Sequence, residues 1–299
     1  MKLEELMEMY EYYIKREDYI GLKEFLMKSD DGKDPNIYLI ESTLYVNGFG
    51  VEKDYDKASF YLDKAYNLDN DLVSNVINGY EAIYKITNEE KYLNKFLEYL
   101  NIAVELNKED AILKIASMYE DGLYVKEDKV KAFSYFEKLA LVNPYGYSCM
   151  ARCYQDGVGV ISDYKKAFQL YKKAGEGNDA EGLTMTGYCY ENGEGVGKDI
   201  NKAIVYYKKG TEAGNKNAPF FLAEIYVYGI GVKKNVKEAI KYYEKSIELG
   251  SIDAISALAM VYLGMKDSKV FDFNKAQYYL GLLNNNDSSV NSSDEVILQ

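Results

Sequence analysis

The chain has 299 residues, 47% of them hydrophobic, with 48 acidic against 36 basic side chains and a net charge of −12. That composition supports a packed core and argues against disorder, while no apolar run approaches the ~20 residues a bilayer-crossing helix needs. Arg16 and Arg152 are the two arginines, so the Arg-rich basic footprint of a nucleic-acid binder is missing, and an acidic surface of this kind suits a basic protein partner. Histidine is absent, which removes the commonest general base, the Ser-His and Cys-His activation pairs and the usual zinc ligand. Cys149, Cys153 and Cys189 are an odd set in a long chain, which reads as reduced thiols rather than a disulfide framework.

The N-terminus, MKLEELMEMYEYYIKRED, is acidic and amphipathic. It lacks the basic start and apolar run of a secretory signal, so a soluble, cytoplasmic protein is expected. Leu3, Leu6, Tyr10, Tyr13 and Ile14 form one stripe, and Ile20, Leu22, Phe25 and Leu26 another. Residues 1–34 are therefore expected to be a helix pair that caps the exposed core edge of the rest of the chain.

From residue 35 the chain repeats. Tyr119, Tyr154, Tyr190, Tyr226 and Tyr262 are 35, 36, 36 and 36 residues apart, and Tyr45 precedes them by 74, with Tyr84 near the middle of that gap. A period of this size marks a stacked array, here of about seven units over 35–283. Small residues recur three positions before the tyrosine (Ser42, Ala116, Ala151, Gly187, Ala223, Ala259) and eight before it (Ala111, Gly146, Gly182, Ala218, Ala254). Glycine recurs three after it (Gly48, Gly122, Gly157, Gly193, Gly229) and five after it (Gly50, Gly159, Gly195, Gly231), where Tyr124 is the exception. Valine comes next, then Asp54, Asp128, Asp163, Asp199 or Asn235 nine after the tyrosine, then Lys-Ala or Glu-Ala pairs such as Lys202-Ala203.

Each column has a physical reading. The small residues and the tyrosine share one face of a first helix, helix A, and let a second helix approach closely. The first glycine ends helix A in the left-handed conformation, and the Asp/Asn caps helix B. Pro35, Pro144 and Pro219 fall near the starts of successive A helices, where proline is tolerated. Residues 71–110 keep the helices but lose the glycines, and 254–283 form an altered last unit with Asp272 one position late. The pattern A-x4-A/G-x2-Y-x2-G-x-G-V-x2-D-x2-KA resembles the Sel1-like repeat family. That resemblance implies an all-α, right-handed α/α superhelical solenoid that brings other proteins together. Some secreted members bridge their helices with disulfides, a pattern that Cys149 and Cys153, on one helix, do not meet.

The chemical signals weigh against catalysis. Gly193-Glu194-Gly195-Val196-Gly197-Lys198-Asp199 looks like a phosphate loop. Its spacing is one short of G-x4-G-K-[ST], Asp comes after the lysine, and sister repeats carry GVGVISD, GIGVKKN and GFGVEKD in the same slot. Cys153 and Cys189 occupy one column and read as buried small residues. Pairs such as Glu120-Asp121 and Glu127-Asp128 read as helix ends rather than acid/base or metal sites. No catalytic, metal or cofactor residue is assigned. The segment 284–299 is polar and expected to be disordered, although its end, Val296-Ile297-Leu298, has the look of a short docking peptide.

What remains is a surface. Positions −9, −6, −2 and +1 from the column tyrosine lie on the face opposite part of the core stripe, the concave side by analogy with other helical-hairpin repeats. In the central units these are Tyr145, Ser148, Arg152 and Gln155, then Glu181, Thr184, Tyr188 and Glu191, then Asn217, Phe220, Glu224 and Val227. Aromatic anchors among carboxylates suit a protein or peptide partner, particularly a basic one. The expected function is a non-enzymatic scaffold or adaptor that binds through Tyr145, Arg152, Gln155, Glu181, Tyr188, Glu191, Phe220 and Glu224. An immunity protein that masks a cognate toxin is the alternative, and a small-ligand sensor or enzyme a more distant one.

Overall fold

The computed structural model describes residues 3–266 and 268–293, which form helices joined by short turns, with no strand among them. Two compact units divide the chain, residues 1–128 and 129–299. The division falls inside one repeat, between its first and second helices.

The first unit runs α1 (Leu3–Ile14), α2 (Tyr19–Ser29), α3 (Pro35–Asn47), α4 (Tyr55–Leu68), a short 3-10 turn (Asn70–Leu72), α5 (Val73–Thr87), α6 (Glu90–Glu105) and α7 (Glu109–Asp121). Leu6, Leu22 and Leu26 of the N-terminal pair are fully buried against Ile37, Tyr38 and Leu44 of α3 and Ala65 of α4. Leu3 and Ile20, which the stripes placed in that core, are exposed. Leu22 and Leu26, one turn apart, define the buried line of α2, and Ile20 starts the helix on its other side.

The degenerate segment is a short hairpin. Asn88, at φ +54°, ends α5, and α6 begins two residues later. Tyr124, the exception in the second-glycine column, also sits in the left-handed region, at φ +64°. Its ring packs edge-on against Tyr84 and Phe96, each 5.5 Å away, and its hydroxyl reaches Glu81 at 3.3 Å. A side chain is tolerated there because it fills space beside the shortened hairpin.

The second unit contains α8 (Lys129–Leu139), α9 (Tyr145–Asp156), α10 (Tyr164–Glu176), α11 (Ala180–Asn192), α12 (Ile200–Glu212), α13 (Asn217–Tyr228), α14 (Val236–Glu248), α15 (Ile252–Tyr262), a 3-10 turn (Ser268–Val270) and α16 (Phe273–Ser293). The turns obey one recipe. Gly157, Gly193 and Gly229, at φ +73°, +81° and +71°, end α9, α11 and α13. The backbone N–H groups of Asp163, Asp199 and Asn235 then donate to the carbonyls of Tyr154, Tyr190 and Tyr226, each at 2.8 Å. Their side chains accept from the N–H of Lys166, Lys202 and Glu238 at 3.0, 3.0 and 3.2 Å. Asp272 makes both bonds too, to Tyr262 at 2.8 Å and from Lys275 at 3.1 Å, so the extra residue is absorbed in the turn and the cap survives.

The second glycine of each turn is constrained twice. Gly159 and Gly195 both sit at φ +70°, and a Cβ would lie 2.1 and 2.0 Å from the carbonyl oxygens of Lys129 and Tyr164. Those are the first residues of the preceding B helices. The glycine turn is therefore the seat of one repeat on the one before it. Gly182 of the small column lets α11 approach α10, since a Cβ there would come within 2.4 Å of the Ala174 Cβ. The column tyrosines stack on tyrosines of helix B, Tyr190 on Tyr206 and Tyr226 on Tyr242, with centroids 5.7 Å apart. Lys166 and Lys202 of the Lys-Ala pairs lie over Tyr154 and Tyr190 at 5.1 and 5.2 Å, contacts each worth about 0.5–1 kcal/mol.

Helix α16 runs into the segment whose composition suggested disorder. Residues 294–299, with Val296-Ile297-Leu298, lie outside the described residues. No helix among those described is long and apolar enough to cross a membrane.

A candidate recognition face on the A helices of the second unit

The A helices α9, α11 and α13 present the expected side chains, and the B helices α10, α12 and α14 decide how those side chains are held. Tyr171, Tyr207 and Tyr243 are 36 residues apart, on the B helices, with 2%, 0% and 0% of their surface exposed. A buried phenol needs a partner. The Tyr171 hydroxyl donates to Gln155 Oε1 at 2.9 Å and that of Tyr207 to Glu191 Oε2 at 2.7 Å, while that of Tyr243 donates to Glu224 Oε1. Burial drives the Tyr207 and Tyr243 phenols far above the ordinary tyrosine range, and the adjacent carboxylates push the same way. Gln155, Glu191 and Glu224 are thus the acceptors that let large tyrosines be buried in helix B.

Tyr145 and Arg152, with Ser148 and Cys149 of α9, line a cavity of about 110 Å³ together with Tyr171 of α10 and Glu181 of α11. Burial raises the Tyr145 phenol to about 12. Glu181 accepts from Asn215 Nδ2 at 2.9 Å. Gln155 reaches forward, its Nε2 donating to Glu194 Oε2 at 3.3 Å. Tyr188 and Phe220 are half-buried: Tyr188 packs 6.0 Å from Phe221, and Phe220 packs 5.9 Å from Tyr243.

The structure therefore brings Tyr145, Arg152 and Glu181 to one cavity and ties Gln155, Glu191 and Glu224 into the hairpins. Three members of the wider face are not surface groups. Ser148, Thr184 and Val227 are 3%, 1% and 0% exposed. Position −6 lies where the next elements press in: Ser148 Oγ donates to Asp179 at 2.5 Å, and a Cβ on Gly210 of α12 would meet Thr184 Oγ1 at 2.5 Å. Val227, on the +1 position that carries an acceptor in the two preceding repeats, packs in the core because Glu224, one turn earlier, takes the phenol instead. Cys149, Cys153 and Cys189 are buried free thiols, with burial pushing Cys189 up to about 12, far from a reactive thiolate. No group of three or more acidic or cysteine side chains is placed to hold a metal among the described residues.

The model of the Sel1 repeat matches residues 43–70, 109–141, 145–179, 180–215 and 218–251, together more than half of the chain. The chain belongs to the Sel1 repeat family. The Sel1 stretches at 145–179, 180–215 and 218–251 coincide with the three hairpins that carry the recognition face. A Sel1 repeat protein from Oxalobacter formigenes aligns at 24% identity with a TM-score of 0.55, covering 93% of this chain and 98% of that one. The protective antigen c5321 of uropathogenic Escherichia coli aligns at 21% identity and TM-score 0.53, over 93% of this chain and 72% of the other. The immunity protein Pa5087 of Pseudomonas aeruginosa aligns at 22% identity and TM-score 0.50, over 64% of this chain and 74% of the other. These likenesses establish the fold. No curated protein matches the chain.

The groups that sequence reasoning missed are the helix B tyrosines, Glu194 and Lys266. The tyrosines had a signal, the same 36-residue spacing as the helix A column. Lys266 had none, because it lies beyond the last matched repeat, in a turn where the glycine three after the column tyrosine is replaced by Met265.

Proposed function

We propose that this Sel1 repeat protein is a non-enzymatic binding scaffold, an adaptor whose partner docks on the A helices of the second unit. The observation that carries the reading is the division of labour in three successive hairpins. The turns, caps and buried tyrosines are held constant, while the positions that face outward differ from unit to unit: Tyr145 and Arg152, then Glu181 and Tyr188, then Phe220 and Glu224. A constant frame that carries a varied surface suits recognition of one extended partner. Aromatic anchors half-sunk in the frame offer area at low entropy cost. A basic partner fits the surplus of carboxylates, and a cytoplasmic setting fits the buried free thiols.

A protein toxin is the second partner class, favoured by the likeness in fold to an immunity protein. The test is quantitative affinity capture with the intact chain, then light scattering on the purified complex. A stoichiometric complex that is weakened about tenfold or more by Tyr145→Ala with Glu181→Gln would support the reading, as a hot-spot aromatic and a charged contact predict. A complex indifferent to those changes would sink it. So would saturable binding and turnover of a small metabolite.

A further inference from the structure

Helix α16 is the B helix of the last unit, and three equivalences with α14 fix its register. Asp272 caps it as Asn235 caps α14. Ala276 and Ala239 are both fully buried. Tyr279 stacks on Tyr262, and Tyr242 on Tyr226, with centroids 5.9 and 5.7 Å apart. In that register Phe273 and Leu280 stand where α14 has Val236 and Tyr243. Those two are 7% and 0% exposed and pack in one cluster with Ala254 and Leu258 of α15. Phe273 and Leu280 are 60% and 42% exposed, since no A helix follows α16 among the described residues.

The outward side of α16 departs from its sisters as well. Lys172-Lys173 of α10, Lys208-Lys209 of α12 and Glu244-Lys245 of α14 become Gly281-Leu282, and Tyr278 replaces Lys241. Lys241, Glu244 and Lys245 are exposed although α15 covers the inward side of α14. A further A helix continuing the array would therefore leave Tyr278 and Leu282 in water. Lys275, held over the Tyr262 ring at 5.0 Å, is the one charged side chain from Phe273 to Leu283. A helix with large apolar residues on both its inward and outward sides belongs in a buried setting.

Gly281 lies between those two sides and shows how close the missing neighbour comes. Glycine inside a helix is unfavourable relative to alanine, and this chain places it where another segment needs the space. A Cβ on Gly146, Gly182, Gly187 or Gly210 would come within 2.2, 2.4, 2.8 or 2.5 Å of a neighbouring segment. Around a Cβ on Gly281 no atom of the described residues lies within 4 Å.

We propose that α16 pairs with α16 of a second copy of this chain, the two helices crossing at Gly281 with Phe273, Tyr278, Leu280 and Leu282 closing around the crossing. Two copies of a chain with a net charge of −12 repel one another, so a contact between them needs a face free of carboxylates, as α16 is from Phe273 to Leu283. The same lack gives a basic partner nothing to seek there. A two-fold contact sets each element against itself, and an uncharged face centred on glycine and flanked by large apolar side chains complements its own copy.

Sedimentation velocity of the intact chain across a dilution series tests the pairing. The expected result is a concentration-dependent species of twice the 34.1 kDa chain mass. Tyr278→Lys with Leu282→Lys gives α16 the outward charges that α14 carries at Lys241 and Lys245, and should raise the dimer dissociation constant about tenfold or more, because like charges would then face each other. Gly281→Ala should weaken the dimer too, although alanine is the better helix former and the monomer should melt no lower than before. Circular dichroism reports whether the variants keep their helices; variants that unfold would mean that these residues serve the chain's own core, and would overturn the proposal. A chain that stays monomeric through the whole series, or a dimer that tolerates both variants, would overturn it as well. A dimer lost in Tyr145→Ala with Glu181→Gln but kept in the α16 variants would put the contact on the recognition face instead.

Discussion

Gly193 and Gly195 are two residues apart in the same turn, both at positive φ, and they should differ sharply in their tolerance of alanine. At Gly193 (φ +81°) the nearest atom to a new Cβ is Lys198 Cβ at 3.5 Å, an ordinary contact. Gly193→Ala therefore meets only the left-handed backbone penalty, about 1–2 kcal/mol. At Gly195 (φ +70°) the new Cβ would stand 2.0 Å from the Tyr164 carbonyl oxygen and 2.5 Å from its carbon. Backbone at the start of α10 cannot rotate away, so the turn must lift off its neighbour by about 1 Å. Overpacking of that kind adds a further ~1–3 kcal/mol. At about 2–4 °C per kcal/mol for a unit of this size, Gly193→Ala should lower Tm by about 2–8 °C and Gly195→Ala by about 4–20 °C. Thermal melts by circular dichroism, repeated as urea titrations, give the comparison directly. The two variants melting within about 1 °C of each other would refute the claim that the second glycine seats one repeat on the next.

Tyr80, Tyr171, Tyr207 and Tyr243 are buried with their phenols raised well above the usual tyrosine value of about 10. Below pH ~10 both folded and unfolded phenols keep their protons and that stability is fully present; above it the unfolded chain ionises first, so stability should fall by up to about 1.4 kcal/mol per pH unit for each phenol. Absorbance in the near ultraviolet, where phenolate absorbs, should rise in one steep step together with loss of helicity, and phenols titrating freely near pH ~10 with helicity intact would count against the burial. With no histidine in the chain, stability should be flat between about pH 6 and 8, and a transition near pH ~6.5 in the same titration would contradict this. Tyr207→Phe removes a hydrogen bond to a carboxylate and should cost about 1.5–3 kcal/mol, against about 1 kcal/mol for Tyr171→Phe, whose acceptor is a neutral amide; equal urea midpoints for the two would mean that the charge on Glu191 contributes nothing.

The repeat was legible because its columns are backbone requirements. A glycine at positive φ, an aspartate capping the next helix and a small residue under a crossing helix each permit few side chains, so they recur in register. Tyr124 shows where that legibility stops. It violates the glycine column, and only the neighbouring Tyr84 and Phe96 explain why a ring is accommodated. The recognition face was read less well because helical periodicity assigns a side, not a depth. Position −6 lies on the outward side by spacing, yet Ser148 and Thr184 are buried, since the succeeding elements press on that one turn of each A helix. Lys266 escaped because it acts across 42 residues of chain on Glu224, a distance no local pattern encodes.

The acceptor row links folding to recognition. A tyrosine sunk in helix B needs an oxygen on helix A, and in two of the three hairpins that oxygen is a carboxylate. One phenol satisfies one lone pair; an ionised carboxylate has about four acceptor sites and keeps its full negative charge. The fold therefore leaves a residual charge at each such position, half-buried and beside an aromatic ring, where a counter-charge is worth more than on an open surface. Glu224 meets that residual with Lys266 from its own chain.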